Sequence, residues 1–257
     1  MTINGIDGQN DRRLTGVMIL HGFTANLESV RELFKPIGRT GLDVVAPLLR
    51  GHGQDSPDAL RGVTWYNWLD DVERAIADAA GPDGKLIVLG HSMGALLALQ
   101  LAARCPELVD SIILATPPLR LVSPLAPGRP FHFLAPVVRM LIDRWDFKPC
   151  FADPVRAIKP EQYRWAPTET ILSMFELLQA TIPVMGRVTV PALILHGRHE
   201  SIVLPESAEL VMQAIGTPAS EKRVVWFEKS DHQLFCDCER ELAIGTVCEF
   251  IVQRLTP

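Results

Sequence analysis

Residues 85–104 read Lys85-Leu86-Ile87-Val88-Leu89-Gly90-His91-Ser92-Met93-Gly94-Ala95-Leu96-Leu97-Ala98-Leu99-Gln100-Leu101-Ala102-Ala103-Arg104. Lys85 to Leu89 is a short, nearly all-apolar run of the kind a buried parallel strand needs. From Ala95 the chain is rich in Ala and Leu and closes at Pro106, which predicts a well-buried helix. Between the two, Gly90-His91-Ser92-Met93-Gly94 has the G-x-S-x-G spacing of a sharp strand-to-helix turn that lifts a serine out of the sheet. That turn is too tight to tolerate side chains near Ser92, which accounts for the flanking glycines. The helix start behind Ser92 supplies a free backbone N–H and a positive dipole end. Ser92 is the candidate nucleophile.

Working outward, short β-like runs alternate with helical stretches. Gly16 to Leu20 and Asp43 to Pro47 frame a helix expected over about Leu27 to Arg39. A second helix, about Tyr66 to Ala80, precedes the strand at Lys85. Strands are expected again at Ser111–Ala115, Ala192–His196 and Arg223–Phe227, with helices at Glu206–Ile215 and about Glu239–Leu255. This alternation predicts an α/β fold: a mainly parallel sheet of about six strands with helices on both faces.

The rhythm breaks between Thr116 and Val190, where eleven of the twenty prolines and eight aromatic residues fall. A disordered loop would be poor in Phe, Trp and Leu. The segment leaves after the fourth strand and returns at the fifth. It is read as a cap over the sheet's carboxyl edge, with short helices at Pro136–Asp143 and Thr168–Ala180. The domain reading is a core of residues 1–116 and 191–257, with residues 117–190 as the cap insertion.

With 257 residues, 47% of them hydrophobic, one domain can bury a sizeable core. A net charge of −5, mixed along the chain, argues against a nucleic-acid partner. Met1 to Arg13 is polar where a secretory segment would be apolar, and no apolar run reaches the length of a membrane span. The five cysteines form no paired framework, and Cys236-Asp237-Cys238 lacks a second pair for zinc. Free thiols in a cytoplasmic protein, with neither metal nor cofactor, are the expectation.

A serine hydroxyl is a weak nucleophile until a base takes its proton, and the base needs a carboxylate to orient it. Among seven histidines, His232 stands out. It lies in a polar loop, Glu228 to His232, directly after the last expected strand. That loop opens on the same sheet edge as Ser92. The acid should follow the fifth strand, where Glu200 stands, and Ser92, Glu200, His232 has the Ser…Asp/Glu…His order. Asp231, adjacent to His232 in sequence, has difficulty reaching the ring nitrogen, and the strand ending at Ala115 carries no acid. An oxyanion hole needs two converging N–H groups. Met93 offers one, and Phe23, in His21-Gly22-Phe23 after the first strand, offers the other. His52, between Gly51 and Gly53, is expected to fix a loop. His91 is expected to pack under the sheet, and Trp65 to Trp68 to anchor a helix start. His132 and Trp145 lie in the cap.

Together, His21-Gly22-Phe23-Thr24, Arg50-Gly51-His52-Gly53, Thr64 to Trp68, Gly90 to Gly94, Ala166-Pro167-Thr168, Glu200 and His232 resemble the α/β-hydrolase superfamily. The nearest likeness is to its small bacterial carboxylesterases and monoacylglycerol lipases, from about Gly16 to Leu255. The resemblance implies a serine esterase working through an acyl-enzyme on a small apolar ester, such as a monoacylglycerol or a short- to medium-chain ester. C–C bond hydrolysis, lactonase or thioesterase chemistry on the same three residues, or a ligand receptor on this fold, are the alternatives. Two positions depart from the pattern: Glu200 stands where Asp is usual, and Asp231 where Gly often precedes the histidine. The sheet starts where larger members have already made two antiparallel strands.

Overall fold

The computed structural model describes residues 13–148 and 150–256. The expectation for Met1 to Arg13 lies outside these residues except at Arg13. The chain runs through β1 (Arg13–Leu20), α1 (Phe34–Gly38), β2 (Asp43–Val45), α2 (Trp65–Ala80), β3 (Gly84–His91), α3 (Met93–Arg104) and β4 (Val109–Ala115). It then forms α4 (Ala135–Leu141), β5 (Arg144–Asp146), β6 (Trp165–Pro167) and α5 (Thr168–Thr181). The last elements are β7 (Ala192–Gly197), α6 (Glu206–Ala214), β8 (Lys222–Phe227) and α7 (Arg240–Leu255).

Six strands make one parallel sheet in the order β2-β1-β3-β4-β7-β8, and β5 pairs antiparallel with β6 apart from it. Successive side chains of a strand face opposite sides, and here both sides are buried. Leu86, Val88, Ile112 and Leu114 join the core beneath α2, α3, α5 and α6. Ile87, Leu89, Ile113 and Leu195 join a second core beneath α1 and α7. Burying each such side chain stabilises the fold by about 1.5–3 kcal/mol. Helix α3 is buried without a break from Met93 to Ala102, so its Ala/Leu composition reflects a helix enclosed all round.

Some boundaries differ from the sequence reading, for physical reasons. The helix expected over Leu27 to Arg39 is a 3₁₀ stretch, Leu27–Leu33, followed by the short α1. Pro36 has no N–H and its ring clashes with the preceding turn, so it is tolerated only where a helix begins afresh. The strand at Asp43 stops at Val45, before Pro47. Helix α4 covers Ala135–Leu141 in place of Pro136–Asp143. The β5–β6 pair had no sequence signal, because three residues are too few for a periodicity to declare itself.

Between β4 and β7 the chain leaves the main sheet, and several residues of this segment line one cavity with Ser92. It is tied down by Arg61, whose guanidinium donates to both oxygens of Asp143 at 3.0 and 2.6 Å, and by the Glu169 carboxylate, which accepts the Gly62 N–H at 3.0 Å. Helix α5 packs on α2 and α3 and anchors the segment to the helical layer.

Candidate active site

Every candidate side chain stands just past the carboxyl end of a parallel strand, where the loops of such a sheet converge. Ser92 follows β3 with φ 54° and ψ −118°, a conformation L residues seldom adopt. The turn is held by its glycines. A Cβ on Gly90 would lie 2.1 Å from the Gly94 carbonyl oxygen, and one on Gly94 would lie 2.3 Å from that of Leu20. Any side chain at either position would push α3 off β1 and β3.

The structure brings Ser92, His232 and Glu200 together from three loops. His232 Nε2 is 3.0 Å from Ser92 Oγ. The Nδ1–H of the same ring donates to Glu200 Oε1. The other oxygen of Glu200 accepts the Val203 N–H, so the carboxylate is pinned from its own loop. Glu200 and His232 are buried, and Ser92 is half-buried. A neutral imidazole with its proton on Nδ1 presents a bare Nε2 to the serine hydroxyl, which is what proton removal requires.

Asp231 does not compete for the ring. Its carboxylate accepts from the Ser201 N–H at 2.7 Å, from Ser201 Oγ at 2.8 and 2.9 Å, and from the His232 N–H at 2.7 Å. It braces the two loops against each other. Phe23 and Met93 both line the cavity beside Ser92, and neither N–H has a backbone acceptor among the described residues. A Cβ on Gly22 would lie 3.3 Å from Ser92 Cβ, so the β1 loop abuts the serine.

The other histidines are structural in placement. His52 donates from Nδ1 to the Arg50 carbonyl at 3.2 Å and is pushed down to about 3, by burial first and by His21 next. His91 is buried, yet it does more than pack: Nε2 donates to the His232 carbonyl at 2.8 Å. Burial pushes His91 down to about 3 and His21 to about 4, so both rings are neutral. His132 bonds to the Leu125 carbonyl and Gln179 and meets the Phe175 ring edge-on, behind wall residues rather than on the wall itself, whereas Trp145 lines the cavity. Trp65 opens α2 behind a Thr64–Asn67 cap, with Asn67 Oδ1 accepting the Thr64 N–H at 2.9 Å.

Sequence reasoning missed Asp237. Its buried carboxylate accepts N–H bonds from Ala152, Asp153, Asp231 and Cys238 at 2.8–3.2 Å. Burial opposes the charge, but those four donors outweigh it and hold Asp237 below its ordinary value. One carboxylate thus joins the segment between β4 and β7 to the loop carrying His232. Tyr163 was also missed: its hydroxyl donates to the Gly51 carbonyl at 2.9 Å and accepts the Gln54 N–H at 2.8 Å. Neither has a sequence signal, since each also binds backbone groups far away in the chain, Ala152 and Asp153 for Asp237 and Gly51 and Gln54 for Tyr163.

The cavity above Ser92 has a volume of about 390 Å³ and is walled mainly by apolar side chains, among them Leu121, Val138, Trp145, Leu172 and Phe175. Among the described residues the wall carries one charged side chain, Lys148, and no carboxylate. No cluster of His, Cys, Asp or Glu suited to a metal ion occurs among the described residues, their cysteines are free, and none of their helices is long and apolar enough to cross a membrane.

A family model, Hydrolase_4, described as serine aminopeptidase, S33, matches residues 12–239. A thermostable monoacylglycerol lipase of Bacillus sp. (strain H-257) is 25% identical over 244 residues, covering 93% of this chain and 90% of that protein. A carboxylesterase of Bacillus subtilis (strain 168) is 24% identical over 243 residues, 91% of either chain. A solved structure from LipS and LipT, two metagenome-derived lipolytic enzymes, has a TM-score of 0.81 at 27% identity, covering 94% of this chain and 95% of its own. The monoacylglycerol lipase of Paleococcus ferrophilus, at 18% identity and a TM-score of 0.76, shares the fold over 95% of this chain and 97% of its own.

Proposed function

The chain belongs to the Hydrolase_4 family, serine aminopeptidase S33, and from that premise we propose that it is a serine hydrolase of carboxylic esters, acting through an acyl-enzyme on monoacylglycerols or short- to medium-chain esters. The observation that carries the reading is the hydrogen-bonded line from Ser92 Oγ through the His232 ring to Glu200, placed under an apolar cavity. An aminopeptidase must hold a substrate ammonium group, and among the described residues the cavity wall offers it no carboxylate. An uncharged ester with an apolar acyl chain meets no such need, and each Å² of apolar surface it buries contributes about 25 cal/mol.

In this reading His232 Nε2 takes the Ser92 proton as Oγ bonds to the ester carbonyl carbon. The oxygen that gains charge is held by the Phe23 and Met93 N–H groups. Collapse of the tetrahedral intermediate breaks the bond to the alcohol oxygen, which leaves with the proton from His232. Water, deprotonated by the same ring, then attacks the acyl-enzyme and releases the acid and Ser92. Glu200 orients the ring and stabilises its charged form. Residues 117–190 act as the cap that shapes the acyl pocket, with α5 as its anchor. The free thiols support a reducing compartment such as the cytoplasm.

The test is a panel of p-nitrophenyl esters of rising acyl length, monoacylglycerols, acyl thioesters, lactones, diketones and aminoacyl anilides, run on wild type and Ser92→Ala. Esters should turn over best, and Ser92→Ala should lose about 10⁴–10⁶ in kcat. A phosphonate probe should label the Ser92 peptide. Preferred cleavage of the anilides, or labelling at another serine, would reject the proposal.

A further inference from the structure

Two imidazoles in this fold make the same short-range bond, and their difference is informative. At the end of β7 His196 Nδ1–H donates to the Gly197 carbonyl at 2.8 Å. At the end of β1 His21 Nδ1–H donates to the Gly22 carbonyl at 2.9 Å. A trans peptide carries its C=O and N–H on opposite sides of one plane, and none of the described peptide bonds is cis. Fixing the carbonyl therefore fixes the direction of the next N–H. After Gly197 that N–H is Arg198's, and it donates to the Phe227 carbonyl at 2.9 Å, extending the sheet. After Gly22 it is Phe23's, which has no backbone acceptor among the described residues and stands on the wall of the cavity with Ser92.

The Gly22 oxygen is held by a second donor, the Ala25 N–H at 3.3 Å. His21 also makes a bond that His196 lacks. Its Nε2 accepts the Leu49 N–H at 3.2 Å, whereas His196 Nε2 is buried without a partner among the described residues. An acceptor at Nε2 leaves the single ring proton on Nδ1, the tautomer that can hold Gly22. We infer that His21 is a positioning residue of the oxyanion hole: its Nδ1–H fixes the Gly22 carbonyl and so aims the Phe23 N–H, while the Leu49 N–H selects the tautomer. The chemical part rests on the serine-hydrolase reading; the geometric part belongs to the chain alone.

Two substitutions separate the two bonds. Asparagine puts an amide nitrogen near the place of Nδ1, so His21→Asn keeps the hold on Gly22 and gives up Leu49. Glutamine puts an amide oxygen near the place of Nε2, so His21→Gln does the reverse. Loss of an oxyanion donor typically costs about 10²–10³ in kcat. His21→Gln should lose kcat on that scale with little change in KM, and His21→Asn should retain most of it. Sulfur accepts hydrogen bonds weakly, so the wild-type preference for an ester over its thionoester should shrink in His21→Gln and persist in His21→Asn. His196→Gln, which also removes a buried imidazole, should leave that ratio unchanged. In a nitrogen–proton correlation spectrum without substrate, the Phe23 amide should shift or broaden in His21→Gln and hold its place in His21→Asn. Equal losses in both variants, an unmoved ratio in His21→Gln, or an unmoved Phe23 amide overturns the inference. If the wild type hydrolyses no ester, the hydrolase reading fails, and the Phe23 amide still decides whether His21 holds the loop.

Discussion

The imidazole of His91 donates from Nε2 to the backbone carbonyl of His232 at 2.8 Å, joining the residue just before Ser92 to the main chain of its hydrogen-bond partner across 141 residues of sequence. The Ser92–His232 distance is thus fixed twice, once between side chains and once between the supports that carry them. His91→Ala should leave the His232 carbonyl unpaired, at a cost of about 1–3 kcal/mol in stability. It should also lower kcat by about 10²-fold, the scale of a misplacement of about 1 Å, with KM little changed. A variant that loses stability but keeps kcat would show the contact to be structural only.

Glu200 and Asp231 make opposite forecasts. Glu200→Gln keeps the shape, loses the charge and favours the wrong imidazole tautomer, a change that costs about 10⁴ in kcat in a comparable triad. Glu200→Asp keeps the charge but withdraws the carboxylate, and should lose about 10²-fold. Asp231→Asn disturbs the Ser201 contacts and should be mild by comparison. Measuring kcat/KM for the three on one ester decides the matter. A Glu200→Gln enzyme within about tenfold of wild type would remove Glu200 from the reaction.

Ala135 is buried at the start of α4 and lines the cavity. Ala135→Trp should fill space above Ser92, so kcat/KM on long acyl esters should collapse while turnover of an acetate ester survives in part. Overpacking costs about 1–3 kcal/mol, so folding is checked by circular dichroism. Equal losses on both esters in a folded variant would show that α4 does not shape the pocket.

Acid should unfold this protein through buried histidines that exchange no proton with the substrate in the proposed chemistry. His21 is held at about 4, and His52 and His91 at about 3, each chiefly by burial. In the unfolded chain each titrates near its reference value of about 6.5. Below that, the unfolded state binds protons the native state refuses, so stability falls as pH drops toward the folded values. Each ring contributes up to about 1.4 kcal/mol per pH unit in that interval. Urea midpoints should decline steadily from about pH 7 to about pH 5. A flat profile would mean that the unfolded state does not gain those protons.

The strands and the serine turn were legible because their signals are local. Four apolar residues, two glycines and an Ala/Leu run state the strand, the turn and the helix within residues 85–104. Glu200 and His232 were legible from order and strand position, since a parallel sheet gathers its loops on one edge. What escaped is what depends on distant backbone: the Asp237 carboxylate on Ala152 and Asp153, Tyr163 on Gly51, and His91 on His232. No periodicity encodes a bond between a side chain and a carbonyl 141 residues away. Pro36 broke the first helix because a proline counts against only the residues of the turn before it, which a coarse reading of an amphipathic run averages out.

The sheet order has a consequence in time. A ribosome that has reached Leu195 has already made Phe23, Ser92, Met93 and the strands β1, β3 and β4 that carry them. Neither Glu200 nor His232 yet exists, and β8, on the sheet's outer edge, has still to pair with β7. Until that edge closes, Ser92 has no His232 ring beside it, so under the proposed chemistry the growing chain would carry its nucleophile in an unarmed form.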